Sequence, residues 1–204
     1  MRITSATVGK VAITAATPVA MLAAAALVWQ SSYAAFSGTT RNSGNDWATG
    51  SVALTDDDAG SARFQVASMI PGDTETKCIT VTANASTAGV VKAYLVNAVP
   101  SSAGLEKYVK VTVSAGNGGS FATCTGFTPL ATGNPVVAST PLSQLALANS
   151  YANGVGGWPV TAGTQSRTYQ VTWTFDTTGL TQPQIDQLQG SHTGIDLQWE
   201  LETS

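Results

Sequence analysis

Residues 168–175, TYQVTWTF, alternate strictly: Tyr169, Val171, Trp173 and Phe175 fall on one face, Thr168, Gln170, Thr172 and Thr174 on the other. That period of two marks a half-buried strand. GIDLQWELE, 194–202, repeats it with Ile195, Leu197, Trp199 and Leu201. Weaker versions occur in GSVALT (50–55), ARFQVASM (62–69), TKCITVTA (76–83), GVVKAYLV (89–96) and KYVKVTVS (107–114). IPGDT, 70–74, reads as a turn and SAGNGGS, 114–120, as a loop. Two segments break the alternation. PLSQLALANSY, 141–151, has Leu142, Leu145 and Leu147 near helical spacing, and TQPQIDQLQG, 181–190, offers Thr181 as an N-cap, Pro183 in the first turn and Gly190 as a stop. Six to eight short strands with one or two short helices predict an all-β fold, an antiparallel β-sandwich of jelly-roll or immunoglobulin-like type.

The amino terminus follows another pattern. Arg2 and Lys10 precede an uncharged run, 11–29, and the small pair Ala34-Ala35 closes it. A positive start, an apolar centre and a small-residue end describe a signal helix. The basic end comes first, which sends residue 36 onward outside. Cleavage is expected between Ala35 and Phe36, an uncleaved anchor being the alternative. The chain then divides into a signal peptide (1–35), a polar arm (36–49) and the sandwich domain (50–204).

Cleavage would leave 169 of the 204 residues, enough for one core-bearing domain. Losing Arg2 and Lys10 leaves 7 basic against 12 acidic side chains, a formal charge of −5. No nucleic-acid face is expected from that balance. Charged residues make up only 10% of the chain, against about 25% in ordinary domains. Gly, Ser, Thr and Ala fill the surface instead, as in many extracellular proteins. Cys78 and Cys124 both lie beyond the signal. An even count in an exported chain favours one disulfide over two free thiols. Neither cysteine has a second ligand-type residue at chelating spacing, so no metal and no cofactor is expected. With Ile79 and Val81 facing the core, Cys78 takes the outer face with Thr80 and Thr82. The bridge would then staple FATCTGF onto the outside of the sandwich.

Candidate chemistry is sparse. His192 is the one histidine, which excludes a His-Glu-x-x-His zinc site, and no Gly-x-Ser-x-Gly elbow accompanies it. It reads as a loop residue before the last strand. Asp56, Asp57 and Asp58 form the one acidic run; contiguous carboxylates point different ways, so a solvated turn competes with a calcium loop. Trp173 and Trp199 fall on core faces. Trp47 and Trp158 sit in polar or Gly-rich surroundings, where core-edge packing competes with stacking on a sugar. No enzymatic activity is expected.

The stretch AAFSGTTRNSGNDWATGSVALT resembles the mature start of the TasA/camelysin family of exported bacterial proteins. Ala35, Phe36-Ser37, the polar run Arg41 to Asp46, Trp47 and Gly50 carry that resemblance. The turn Pro71-Gly72-Asp73 with the strand after it is also similar, and TYQVTWTFD and LQWE more weakly so. The cysteine pair departs from the fibre-forming members and suggests a disulfide-bearing branch. The resemblance implies a jelly-roll sandwich, processing by a specialised signal peptidase and a structural role in biofilm-matrix fibres or at the bacterial cell surface. Some members are described as metallopeptidases, a role the single histidine cannot carry here.

The arm suggests how such a fibre would grow. Fifteen residues reach roughly 50 Å at about 3.3 Å each. An open sheet edge accepts an added strand. Phe36 or Trp47 would seat in a pocket to set register, and a head-to-tail contact does not close. Self-association is therefore one expectation, with other matrix proteins or a polysaccharide as further partners and no membrane attachment after cleavage. The alternative function is a monomeric or membrane-anchored surface domain that binds a polysaccharide or a host ligand, and the alternative fate of the arm is to fold on its own domain or stay disordered.

Overall fold

A computed structural model of the protein describes residues 51–61, 64, 66 and 68–203. The expectations for the signal, for cleavage at Ala35-Phe36 and for Trp47 lie outside the described residues. Nine strands are present among those described: β1 Val52–Asp56, β2 Thr74–Ala85, β3 Gly89–Val99, β4 Val109–Asn117, β5 Thr128–Pro129, β6 Val137–Pro141, β7 Val155–Val160, β8 Gly163–Phe175 and β9 Gly194–Thr203. Two short helices, α1 Leu142–Leu145 and α2 Gln182–Asp186, and two 3₁₀ turns, Leu105–Lys107 and Tyr151–Asn153, complete the domain.

The strands form two antiparallel sheets, an all-β sandwich. The wider runs β1-β2-β8-β4, with β5 and β6 both pairing to β4; the narrower runs β7-β3-β9. Alternation explains the layering. Ile79, Val81, Ala83 and Ala85 of β2 share the inward face with Tyr169, Trp173 and Phe175 of β8, opposite Val91 and Leu201 of the narrower sheet. The outward face of β2 and β8 is a row of hydroxyl pairs: Thr74 with Thr174 at 3.1 Å, Thr76 with Thr172 at 2.7 Å, Thr80 with Thr168 at 2.9 Å, and Thr82 with Ser166 at 2.8 Å. β-branched cross-strand pairs of this kind support a sheet by packing and hydrogen bonding together.

The row is interrupted where Cys78 faces Gln170. Cys78 is bridged to Cys124, with Cα atoms 5.3 Å apart, and the 118–127 loop covers this part of the outer face. Cys78 is therefore outward-facing, as the alternation requires, yet fully buried beneath its own staple. Phe127 lies over Gly116 of β4, where an added Cβ would strike the Phe127 ring and the Thr128 carbonyl oxygen. Only glycine lets the loop lie this close.

Three readings are corrected. Residues 114–117, read as the start of a loop, continue β4 and pair with β8 as far as Gly116. In 62–69, the described residues 64, 66, 68 and 69 belong to no strand. Phe64 and Met69 both pack on the core cluster around Trp173. Residues five apart point to opposite faces of a strand, so a segment that turns both inward is irregular. Conversely, β5, β6 and β7 were not foreseen. β7 is VGGWPV, whose glycines and proline argue against a central strand; it is an edge strand, where Pro159 is tolerated. Gly156 has φ +64° and a Cβ there would come within 3.1 Å of the Tyr169 ring. The helical readings hold: α1 forms within 141–151, and α2 starts with a capping box in which Thr181 and Gln184 satisfy each other's backbone.

The bridge closes 46 residues of chain. In the chain-entropy model that is worth about 4 kcal/mol. Replacing Cys78 and Cys124 together by alanine is expected to lower the unfolding free energy by up to that amount, read from urea titration of the variant against the oxidised parent.

Candidate functional site

β1 and β9 border the same open side of the sandwich. β1 has five residues and pairs with β2 only from Val81 to Ala85. β9 pairs with β3 along its inner edge, and among the described residues no strand takes its other edge. Between them lies a groove of about 260 Å³, lined by Leu54, Thr55, Asp56, Val81, Leu197, Gln198 and Trp199.

The burial along β9 shows what is missing from this side. Leu197 stands opposite Leu95 on the inward face of the sheet. Leu95 is 8% exposed, whereas Leu197 is 45% exposed. An inward-facing leucine left half in water marks an apolar slot without a cover. Trp199, one inward position further on, is half-buried against Tyr169, the ring centroids 4.4 Å apart. An unpaired strand edge beside uncovered apolar side chains presents main-chain donors and acceptors for register and a pocket for side-chain anchoring.

The acidic run lies at the end of β1, beside this groove. Asp57 Oδ1 accepts from the Thr80 N–H at 2.8 Å and Oδ2 from the Phe121 N–H at 2.6 Å. Both oxygens thus tie the end of β1 to β2 and to the disulfide-bearing loop. Asp58 Oδ1 accepts the Gly60 N–H at 2.6 Å within its own turn. Asp58 also interacts with the Asp56 carboxyl, and among the described residues no cluster of three or more His, Cys, Asp or Glu side chains converges on a metal position. Asp56 lines the groove, and burial there, with the neighbouring Asp58 and Asp57 carboxylates, raises its carboxyl above the usual 3.8.

Of the residues singled out from sequence, Cys78 and Cys124 are joined. Phe36 and Trp47 lie outside the described residues. His192 is an exposed loop residue before β9, and Trp158 is buried in the core rather than displayed. Sequence reasoning placed Leu197 and Trp199 in the core; their use as groove walls was missed, as was Asp57 as a clamp. No protein-family model matches the chain, and among curated proteins none matches it. No helix among the described residues is long and apolar enough to cross a membrane.

The raised Asp56 carboxyl fixes the sign of a pH effect. The fold disfavours its ionised form, so stability falls as pH rises from 3.8 through the raised value and is level above it. Asp56→Asn is expected to abolish this dependence and to gain stability at neutral pH. The gain should stay below about 1 kcal/mol because the group is largely solvated. Urea midpoints of parent and variant across the acid range check both points.

Proposed function

We propose that this protein is a secreted structural subunit that assembles into extracellular or biofilm-matrix fibres by strand addition. The polar arm, 36–49, of one copy lies along the free edge of β9 in the next, with Phe36 or Trp47 anchored in the groove beside Leu197. The observation that carries this reading is Leu197: inward-facing, apolar, 45% exposed and next to an unpaired strand edge. An added strand would cover it and complete the narrower sheet.

Other features support the reading. A disulfide between Cys78 and Cys124 suits an oxidising, extracellular setting. The outer face of the wider sheet is polar and its hydroxyls satisfy one another, so association through an edge is favoured over association through that face. The resemblance of AAFSGTTRNSGNDW to the TasA/camelysin family points to the same role. Donor and acceptor lie at different places on one molecule, so the contact is heterologous and propagates. While residues 1–35 remain attached, the arm's end is held in the membrane and growth is blocked.

Two variants test this. Deleting residues 36–46 removes the donor, and Leu197→Glu puts a charge in the acceptor slot while leaving the β3–β9 ladder intact. Both are expected to stay folded by circular dichroism and to remain monomeric by size exclusion, whereas the parent forms filaments in electron micrographs. Leu197→Glu protein keeps its arm, so mixed with parent it should cap one growing end and shorten the filaments. Filaments from either variant alone would sink the proposal; monomeric behaviour of the parent would leave a surface-binding domain in its place.

A further inference from the structure

A second cavity lies on the β7 side of the sandwich and does not depend on the assembly reading. β8 places Arg167 opposite Val81 and two residues before Tyr169, which is the inward face. An arginine there is unusual, because charged side chains avoid the space between sheets unless paired. The guanidinium lies over the Trp158 ring, 5.3 Å from its centroid. Among the described residues the ion pairs are Lys77 with Glu75 and Lys110 with Asp176; no acid pairs with Arg167.

Three buried side-chain donors lack a partner among the described residues; Trp173 Nε1 is one, and the other two belong to residues that line one cavity. Arg167 Nε and Trp158 Nε1 are both sequestered from solvent and lack a hydrogen-bond partner. Trp158 itself is 4% exposed, and Arg167 is half-buried. An orphaned buried donor costs about 1–3 kcal/mol, and native structures keep few of them. Both residues line a cavity of about 230 Å³, whose apolar wall is Ala115, Leu130, Val136 and Tyr169. The Tyr169 hydroxyl is already spent on the Gly156 carbonyl at 2.7 Å, so it does not compete as a donor.

We propose that this cavity binds a small carboxylate. Both free groups are N–H donors, so the ligand must accept; one is part of a fixed positive charge, so the ligand must be anionic. A planar carboxylate matches the edge of a guanidinium better than a tetrahedral anion does. The apolar wall takes a short hydrocarbon body. The volume is below the roughly 300–1,000 Å³ of drug-sized sites, which limits the ligand to a few carbons. It is also far above the ~10–15 Å³ that one water requires.

Titrating the ¹⁵N-labelled chain with acetate and propanoate tests the site, read on the Trp158 indole N–H and the Arg167 Nε–H resonances. Both signals are expected to move downfield and saturate with the same midpoint. Acetamide, the neutral isostere, and sulfate should each bind at least about tenfold more weakly, as loss of a charge-assisted bond or of its planar geometry implies. Arg167→Gln and Trp158→Phe should each weaken acetate by about tenfold or more, thermal melting reporting that the variants fold; if Arg167→Gln does not fold, Trp158→Phe and the parent titration decide. Absence of saturation with either carboxylate overturns the proposal. So does acetamide matching acetate, which would mean a polar cavity that holds water, or sulfate matching it, which would mean a general anion site.

Discussion

Tyr169 spans the gap between the two sheets, and the layered arrangement depends on it. It sits on the central strand β8, between Ile79 of β2 and Ala115 of β4, and is almost fully buried. Its hydroxyl donates to the Gly156 carbonyl on β7, and its ring packs against Trp199 on β9. One side chain thus touches both outer strands of the narrower sheet. Burial holds the phenol far above its usual range of ionisation, so the hydroxyl remains a donor throughout the physiological range. Gly156 is the complement: a side chain there would press on the Tyr169 ring and separate the layers.

The two sides of the sandwich differ because the sheets differ in width. Three strands face a sheet whose path runs through five. On the β9 side the five-residue β1 does not close the opening, and Leu197 is left half-covered. On the β7 side the turn around Leu130 to Val136 stands over the opening but leaves a cavity with Arg167 inside. Tyr169 reaches both openings, stacking on Trp199 at one and lining the other. A change that moved its ring would therefore disturb both, and a variant at either opening has to be judged against the Tyr169–Gly156 contact before its effect is called local.

Much of this organisation was legible in the chain. Strict alternation in 168–175 and 194–202 locates β8 and β9, and the phase of Ile79 and Val81 puts Cys78 on the outer face. The bridge was readable from an even pair of cysteines without a second ligand-type residue at chelating spacing. β7 was not, because Gly156, Gly157 and Pro159 carry the composition of a loop and only pairing with β3 makes them a strand. Nor was the groove: Leu197 and Leu201 occupy equivalent positions in the pattern, and which of them is covered depends on what packs across from it, a tertiary matter. Arg167 was legible in principle. Extending the alternation back from Tyr169 turns it inward, and an inward arginine without an acid in register is a signal the strand pattern alone can raise.

What remains exposed on the molecule is divided between groups that are already satisfied and groups that are not. The hydroxyl row of the wider sheet is paired within itself. On the outer face of the narrower sheet, Tyr94 donates to Glu200 at 2.8 Å and receives from Gln198 at 2.7 Å. Such faces gain little from a partner, since each hydrogen bond formed with it replaces one already made. Asp57 and the Cys78–Cys124 bridge hold the 118–127 loop on the same terms, closing the outer face. Among the described residues, two places combine unsatisfied groups with open space: main-chain groups and apolar surface along β9, and orphaned donors beside β7. Low charge and self-satisfied faces make a surface with little to attract general binding, and on the proposed reading a partner engages the places where the sandwich is incomplete.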